Sequence, residues 1–599
     1  MEKMRNKSIA ERLAKTSYQN FNVAIYCPAD VIKNITDFDD FDRRFKLVSD
    51  HVKIGRAYIE CYRAMDWCEK EQILRVKEYF ESKGIATSGG IMTCGDCTDG
   101  GWISLCYSKP EGRETLRKSV VLNAEIFDEF IFDDFLFLNC RCEECVKQKG
   151  DRSWHQFRLD QKKEIAEEII MKTAKEINPD VNVILKYPQW YEVFDEEGFD
   201  LKLEPELFDS IYTGTETRNP TYAQQHIPKY LSYFIMRYLE SAAPGRNLGG
   251  WFDPYECTYS LTSYLEQCYL TLFAKPKEVT LFGLGVLAFD SEYRLFAPAV
   301  GELFSEVDEY LGKLGDPKGV AAYRPAYARG EDDIHNYLGM CGIPFEAYIT
   351  YPEKEKVIFL SEGAADDADI VSRMKKSMLE GAAVIVTSGF VRKLGDAFGE
   401  FVNVKYSSRK AIVNEYAVSK NSGVTVGGKY TGAEPVMIPQ LDYCTNDIWE
   451  LAAGYGTDNN FPIVLRCKYG EGSISIITIP DSLGDIYHYP VPVLNVIRSL
   501  FSKDMPVAIE GPAQVQLFAY KKSQGSGNGS DNDEINNSSN AIEHVIVRSD
   551  LPYAENVTLK LSDRVKAAED IVKGTELPIV EGRITLQLAP CVNYVLELK

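Results

Sequence analysis

Hydrophobic and polar positions in the first half of the chain follow two alternating patterns. Short runs rich in Val, Ile, Phe and Tyr are separated by longer stretches in which apolar residues recur every three or four positions. The first pattern is typical of buried parallel strands, and the second of amphipathic helices. The predicted strands are 22–27, 54–60, 85–92, 129–135, 181–187, 208–213, 247–252 and 278–284. Eight strand–helix units over about 270 residues are what a (β/α)8 TIM barrel requires.

We therefore assign residues 1–295 to a catalytic TIM barrel. The rival fold is an open, doubly wound sheet, which usually carries a glycine-rich phosphate turn after its first strand. No such turn follows residues 22–27, and this absence favours the barrel.

The remainder of the chain predicts two further domains. Buried-strand runs at 357–360 and 381–386 flank a helical stretch at 366–379, which indicates a smaller parallel-sheet α/β domain. Short segments with period-two alternation then predict antiparallel structure that ends in a β-sandwich at 506–599. Within this region, residues 521–540 have almost no apolar side chains and predict a flexible loop.

Composition limits the classes of function. The chain of 599 residues has 67 Lys and Arg against 89 Asp and Glu, a net charge of −22. This balance argues against binding to nucleic acid or to an anionic membrane surface, because both need clustered cations. No apolar run reaches the roughly 18 residues of a spanning helix, and residues 1–15 lack the apolar core of a secretion signal. We expect a cytoplasmic protein.

Acids and aromatic residues gather at the carboxyl ends of the predicted barrel strands, where barrel enzymes place their reacting groups. One acid would protonate a glycosidic oxygen while a second carboxylate attacks the sugar or activates water. The candidate catalytic residues are Asp133, Asp134, Asp253, Glu216 and Glu256. The candidate sugar contacts are Glu60, Arg63, Trp102, Tyr187, Trp190 and Trp251. The pattern predicts a glycoside hydrolase that removes terminal sugars from oligosaccharides or small glycosides.

Two consecutive aspartates, Asp133 and Asp134, close the fourth predicted strand. Aspartate is disfavoured in strands, so the pair needs a reason to be there. Strand alternation would send the two side chains to opposite sides, and only one could then point into the barrel mouth. The sequence leaves open which one does.

Three other interpretations stay open from the residues alone. The acids could simply cap helices or pair with Arg63, Arg218 and Arg246. The barrel could bind sugars without hydrolysing them. It could also be a lyase or isomerase, which would need a Lys or His base or a catalytic metal. The candidate bases are His51, His155, His226 and Lys186, and no His cluster is present in the sequence.

Cysteines are concentrated in the barrel region. Of 15 in the chain, nine precede residue 146. Cys94 and Cys97 follow the third predicted strand, and Cys140, Cys142 and Cys145 follow the fourth. Two C-x-x-C pairs on neighbouring loops match the spacing of a structural, tetrahedral Zn²⁺ site, with Cys142 and Cys145 as the surest ligands. The alternative is a set of buried, reduced thiols. No organic cofactor is expected.

These cysteines and the order of domains resemble the family-42 β-galactosidases. The resemblance implies a zinc site formed by Cys94 or Cys97 with Cys140, Cys142 and Cys145. It also implies that residues 296–505 form a glutamine-amidotransferase-like, flavodoxin-like domain used in oligomerisation, so that the protein is a dimer or trimer. Residues 386–389 read Val-Thr-Ser-Gly and lack the amidotransferase nucleophile.

The chain departs from that family at the catalytic positions. The family has an Asn-Glu acid/base after strand four and a Glu nucleophile after strand seven. This chain has Asp133-Asp134 at the first place and Asp253, with Glu256 close by, at the second. An aspartate on strand four also resembles the α-galactosidase type of barrel. The sugar, its anomer and the stereochemical course are therefore open.

Overall fold

The structure, a computed structural model, describes residues 17–95, 102–223, 225–422, 428–456, 459–522 and 541–599. The chain divides into two compact units, and the division falls between Gly312 and Lys313. The first unit therefore extends beyond the expected boundary at residue 295. The loop predicted at 521–540 falls, from residue 523 on, outside the described residues.

The first unit is a closed parallel barrel, as the sequence predicts. Each strand pairs in parallel with the next, and the last pairs with the first. Its strands are β1 (Asn22–Cys27), β2 (Arg56–Arg63), β3 (Ala86–Met92), β4 (Glu129–Phe132), β5 (Asn182–Tyr187), β6 (Ser210–Gly214), β7 (Asn247–Phe252) and β8 (Glu278–Phe282). A two-residue strand, Asp66–Trp67, pairs antiparallel with the end of β2.

Helices cover the outside of the barrel. They are α1 (Ala29–Ile32), α2 (Phe38–Ser49), α3 (Lys70–Ser82), α4 (Pro110–Ile126), α5 (Glu143–Lys149), α6 (Trp154–Ile165), α7 (Lys172–Ile177), α8 (Glu204–Leu207), α9 (Leu231–Ala242), α10 (Leu261–Phe273), α11 (Leu284–Phe289) and α12 (Phe296–Tyr310). Helix α2 illustrates how the local sequence specifies where a helix begins and which face it buries. The Asp37 side chain accepts from the backbone N–H groups of Asp39 and Asp40, and Phe41 and Phe45, one turn apart, are buried.

Aromatic side chains fill the barrel lumen, in which Tyr26, Tyr58, Tyr212, Trp251 and Phe282 form one buried cluster with aliphatic neighbours. The cluster closes the lumen as a packed core, so ligands can approach only from an end of the barrel.

The amino end of the barrel is closed by ion pairs. Arg56 on β2 contacts Glu129 on β4 at 2.6 Å and Glu278 on β8 at 3.0 Å. Tyr58 donates to Glu278 at 2.9 Å. Every charge in this group has a protein partner, and we assign it a structural role.

The second unit contains a nine-stranded mixed sheet. Its strands are β9 (Val320–Tyr323), β10 (Phe345–Tyr348), β11 (Val357–Leu360), β12 (Ala383–Thr387), β13 (Val404–Val418), β14 (Gly428–Tyr443), β15 (Trp449–Tyr455), β16 (Asn460–Tyr469) and β17 (Gly472–Ile477). They lie in the order β10–β9–β11–β12–β17–β16–β15–β13–β14. The first five strands of that order are parallel and the rest antiparallel. Its helices are α13 (Ile334–Met340), α14 (Ile370–Leu379), α15 (Ser388–Leu394) and α16 (Val491–Phe501).

The carboxyl-terminal part of the second unit is antiparallel, as predicted. The strands are β18 (Val507–Glu510), β19 (Val515–Lys521), β20 (Ile542–Ser549), β21 (Glu555–Leu561), β22 (Ala568–Asp570), β23 (Thr575–Glu576), β24 (Arg583–Leu588) and β25 (Asn593–Leu598). A three-stranded sheet, β18–β21–β24, shares one buried apolar core with the larger sheet that holds β19, β20, β25, β22 and β23. Two sheets around a common core make a sandwich. Among the described residues, no helix has the length and apolarity needed to cross a membrane.

Gly249 on β7 provides a test of the barrel packing. A Cβ at this position would lie 2.2 Å from the carbonyl oxygen of Glu278 and 2.5 Å from the hydroxyl of Tyr212. We predict that Gly249→Ala destabilises the barrel by about 1–3 kcal/mol, because the neighbouring strand must shift. Thermal unfolding followed by tryptophan emission measures this. Gly399→Ala, where a Cβ meets no atom within 4 Å, is the control. Equal melting temperatures for both variants would contradict the packing described.

Candidate active site and cysteine cluster

A buried lysine lies at the centre of the barrel mouth. Lys186, near the carboxyl end of β5, contacts three carboxylates through its Nζ: Asp133 at 3.2 Å, Asp134 at 2.8 Å and Glu216 at 2.8 Å. The ammonium also lies 4.4 Å from the ring centre of Trp251. Only 2% of the lysine side chain is exposed, so its charge is balanced by these groups and not by water.

Both aspartates of the Asp133-Asp134 pair reach this lysine. The expectation that only one could point into the mouth is wrong, because β4 ends at Phe132 and strand alternation stops there. In the turn that follows, the Asp133 carboxylate accepts from the backbone N–H of Asp134 at 2.9 Å. The pair thus places two carboxyl groups on the same side of the barrel end.

The two aspartates differ in electrostatic environment. Burial raises the pKa of Asp134 to about 8, and the neighbouring charges of Asp133 and Glu216 add to the rise, although Lys186 opposes it. Burial also opposes ionisation of Asp133, but Lys186 and Arg63 outweigh it and lower the pKa of Asp133. Near neutral pH one member of the pair is therefore protonated while the other is ionised.

Glu60 and Arg63, on β2, form a fixed ion pair beside the aspartates. The Glu60 carboxylate accepts from Arg63 Nε, the Tyr26 hydroxyl and the backbone N–H of Ala29, each at 2.7 Å. Arg63 Nη2 also contacts Asp133 Oδ2, at 3.4 Å. Both Glu60 oxygens are thus engaged within the protein, and the pair orients Asp133 from behind.

A second ion pair lies at the end of β7. Arg218 binds Asp253 in a bidentate manner, with Nε at 3.1 Å and Nη2 at 2.9 Å from its two carboxylate oxygens. The backbone N–H of Tyr255 donates to Asp253 at 3.0 Å. Glu256 is more exposed and contacts Arg218 Nη1 at 3.3 Å. Bidentate contact with a guanidinium fixes Asp253 as an oriented carboxylate.

Glu216, after β6, lies between these two groups. Its Oε1 accepts from Lys186, whereas its buried Oε2 has no hydrogen-bond partner among the described residues. Burial raises the pKa of Glu216, and the charge of Asp253 contributes. This oxygen is directed at Gly214, where a Cβ would lie 2.5 Å from it, so it faces the protein interior and is not presented to a ligand.

The predicted aromatic contacts fall in different places. Trp251 is buried under Lys186 and packs on Tyr26, 4.5 Å between ring centres. Trp102 is 54% exposed and packs on Phe135. Trp190 is half-buried.

Tyr187 does not reach the mouth. It is fully buried against Phe194 and Phe199, and its hydroxyl donates to Glu204 at 3.0 Å. Its neighbour Lys186 takes the lumen side of β5, so Tyr187 must face the helices.

Four cysteines converge on the loops after β3 and β4. The Sγ atoms of Cys106, Cys140, Cys142 and Cys145 all lie within 4.8 Å of one another. The measured separations are 3.6 Å for Cys106–Cys142, 3.5 Å for Cys106–Cys145 and 3.7 Å for Cys142–Cys145. Ligands about 2.3 Å from a tetrahedral metal would be about 3.8 Å apart, so the cluster could hold a metal ion.

The cluster corrects part of the predicted ligand set. Cys94 is not a member: it is buried, and its Sγ contacts the carbonyl oxygen of Ile103 at 3.3 Å. Cys97 lies outside the described residues. The fourth thiol comes from Cys106, which belongs to no C-x-x-C pair. A bridge between Cys94 and Ser104 folds the loop back and brings Cys106 to the cluster, a contact that linear spacing does not reveal.

Comparison with known proteins gives this geometry a family context. Residues 9–299 match the family model described as "Probable glycosyl hydrolase, catalytic domain". Residues 315–482 match one described as "Uncharacterized protein SSO3021, second domain". The barrel is therefore similar to a glycosyl hydrolase catalytic domain. The uncharacterized protein SSO3021 of Saccharolobus solfataricus is 24% identical over 525 residues, 80% of this chain and 86% of that protein.

Solved structures share the fold at low sequence identity. A β-galactosidase from Bacillus circulans sp. alkalophilus has a TM-score of 0.63 at 12% identity, covering 97% of this chain and 99% of that one. A catalytic mutant of Gan42B, a GH42 β-galactosidase from G. stearothermophilus, also has a TM-score of 0.63 at 12% identity, covering 98% and 100%. The α-L-fucosidase isoenzyme 2 from Paenibacillus thiaminolyticus has a TM-score of 0.62 at 11% identity, covering 97% and 99%.

The cysteine cluster makes a discriminating prediction about metal content. Cys106→Ser should lower the metal bound per chain to well under half of the wild-type value, because a tetrahedral site loses one of its four thiolates. Cys94→Ser should leave the metal content unchanged. Elemental analysis of protein purified without chelator measures both. Loss of metal in Cys94→Ser with retention in Cys106→Ser would restore the ligand set expected from the sequence.

Proposed function

We propose that this chain is a glycosidase that cleaves a terminal sugar from an oligosaccharide or small glycoside by a two-carboxylate mechanism. The observation that carries the proposal is that the barrel mouth holds two carboxyl groups in different surroundings. Asp134 is buried beside Asp133 and Glu216, which raises its pKa to about 8, whereas Asp253, at the end of another strand, is bound through Arg218 Nε and Nη2. Sugar hydrolysis needs one carboxyl group that stays protonated and a second that is ionised.

In this proposal Asp134 is the general acid. It donates its proton to the glycosidic oxygen as the bond to the sugar carbon breaks. Asp253 is the second carboxylate, which attacks the sugar carbon or activates a water molecule. The acid and its partner act on different sides of the reacting carbon, and the ends of β4 and β7 supply them from separate strands. Asp133 is less suited to be the partner, because it follows β4 together with Asp134 and lies on the same side of the barrel end.

Glu216 is the alternative partner for Asp134. Asp134 Oδ2 and Glu216 Oε1 each lie 2.8 Å from Lys186 Nζ, so they cannot be farther apart than twice that distance. This limit is close to the separation of about 5–5.5 Å found in retaining glycosidases. However, burial raises the pKa of both groups, whereas catalysis needs them to differ.

The same contacts count against a lyase or isomerase. Lys186 would have to lose its proton to act as a base. Its three carboxylate partners outweigh the effect of burial and raise the pKa of the ammonium. Lys186 is therefore a fixed cation that balances the carboxylates. A sugar-binding barrel without turnover remains the second candidate, and the kinetic variants below separate it from a hydrolase.

We also propose a structural zinc in the cluster of Cys106, Cys140, Cys142 and Cys145. Four thiolate ligands leave no open position for a substrate, so the metal would stabilise the loops after β3 and β4 and take no part in catalysis. The β-galactosidases and the α-L-fucosidase of similar fold suggest a galactose-like terminal sugar as the first substrate to test. Homo-oligomerisation through the second unit stays a proposal.

Leaving-group dependence tests the role of Asp134. Asp134→Asn should lower kcat/KM by about 10²–10⁴-fold on phenyl or alkyl glycosides, whose leaving groups need a proton. It should act far less on dinitrophenyl glycosides, whose leaving groups depart as anions. Asp253→Asn should lose activity on both classes of substrate. The control is Asp151→Asn, at an exposed position of the barrel, which should keep its activity on both. Wild-type turnover by both Asp134→Asn and Asp253→Asn would exclude the assignment.

The pH profile supplies a second test. Because Asp134 must be protonated to act as the acid, and its pKa is raised to about 8, kcat/KM should fall as the pH rises through that value. Lys186 opposes the rise, so Lys186→Met should move this alkaline limb to higher pH. Lys118→Met, at an exposed position on α4, should not move it. An alkaline limb that moves to lower pH in Lys186→Met would contradict the charge arrangement.

A further inference from the structure

The second unit has a cavity whose lining differs in character from the acidic chain as a whole. It has a volume of about 480 Å³, within the range of roughly 300–1,000 Å³ typical of small-molecule sites. The start of β15, the end of β16, the start of β17 and the segment after α16 surround it. Its lining includes Trp449, Arg466, Lys468, Lys503 and Glu471.

Trp449 presents a large aromatic surface at this cavity. It is the first residue of β15 and 67% of it is exposed, more than the 54% of Trp102. Its direct cross-strand partner on β16 is Arg466. Paired residues on adjacent strands lie on the same face of a sheet, so the indole and the guanidinium are side by side. An exposed indole at a cavity is a stacking surface for a ligand with an apolar face.

Positive charge accompanies the aromatic ring. Arg466 and Lys468 lie two positions apart on β16 and therefore on one face, and Lys503 lines the same cavity. None of the three forms a salt bridge with another residue in the part of the chain that the structure describes. Three unpaired cations against one carboxylate, Glu471, give the cavity a positive balance in a chain of net charge −22.

We propose that this cavity binds an anionic saccharide, with a sugar ring stacked on Trp449 and its carboxylate or sulfate held by Arg466, Lys468 and Lys503. Pyranose rings have an apolar C–H face that matches an indole, while an acidic substituent matches the cations. A neutral sugar would leave the cations without a partner, and an inorganic anion would leave the indole exposed. The site belongs to the second unit and does not depend on the chemistry proposed for the barrel.

Binding measurements on the full-length protein test the proposal. Isothermal titration calorimetry with trigalacturonate and with a sulfated galactotriose distinguishes a carboxylate from a sulfate as the preferred anion. We expect saturable binding of at least one of them and none of the methyl-esterified trigalacturonate, which keeps the rings but loses the charge. Binding should weaken as salt is raised, because charge pairs at an open cavity are screened.

Variants assign the binding to this cavity. Trp449→Ala should abolish it, and Arg466→Gln should weaken it about tenfold, the equivalent of one charge-assisted hydrogen bond. Tyr553→Ala, which removes an exposed aromatic side chain elsewhere in the second unit, is the matched control and should bind as wild type. Circular dichroism and thermal unfolding confirm that each variant is folded.

Absence of binding to both acidic probes, equal binding of the esterified probe, or undiminished binding by Trp449→Ala would each overturn the proposal. A change in oligomeric state of Trp449→Ala, seen by size-exclusion chromatography, would do the same, since this surface would then be a protein interface.

Discussion

The arrangement of side chains at the barrel mouth depends on the contacts of the Lys186 ammonium. A buried cation is stable only when polar or anionic groups replace its lost hydration, and the carboxyl oxygens of three residues do so here. The ionised members of this group would in turn repel one another without the cation. The lysine therefore determines where Asp133, Asp134 and Glu216 can lie, and removing one partner from such a group leaves an uncompensated charge.

Charges of alternating sign continue across the mouth from this centre. The buried or half-buried groups are Glu60, Arg63, Asp133, Asp134, Lys186, Glu216, Arg218 and Asp253. Carboxylates outnumber cations in this set, so the full set of acids is not readily ionised at once in a space that excludes water. Protonation of Asp134 removes part of this excess negative charge, because burial and the charges of Asp133 and Glu216 raise its pKa to about 8. A proton held at neutral pH is thus a consequence of the charge balance, and the proposed acid catalysis uses it.

The sequence predicts the architecture well because its signals are periodic. Eight β-rich runs and the intervening amphipathic stretches specify a closed barrel, and strand-end acids locate the candidate site. Contacts that depend on how a strand ends or a loop returns are not periodic. Alternation suggested one inward aspartate, but β4 stops at Phe132 and both reach Lys186. Residue spacing predicted Cys94 and Cys97 as metal ligands. The backbone bridge within the loop after β3 instead brings Cys106 to the cluster.

Lys186 illustrates the same limit. As a lysine at the end of a buried strand it was recognisable from the sequence, but only as a candidate base. Its three partners follow β4 and β6, on either side of β5, so its role as a counter-ion depends on neighbours brought together by the barrel. The sequence does predict that such residues share one end of the barrel, which is enough to find the site but not to assign its members.

The protonation state of Asp134 is the central claim, and difference infrared spectroscopy measures it directly. The wild-type spectrum minus that of Asp134→Asn isolates the C=O stretch of a protonated carboxyl group. We predict that this band is present at pH 7 and disappears as the pH rises through about 8, where burial places the pKa of Asp134. A band already absent at pH 7, with Asp134 ionised like an exposed carboxylate, would contradict the account.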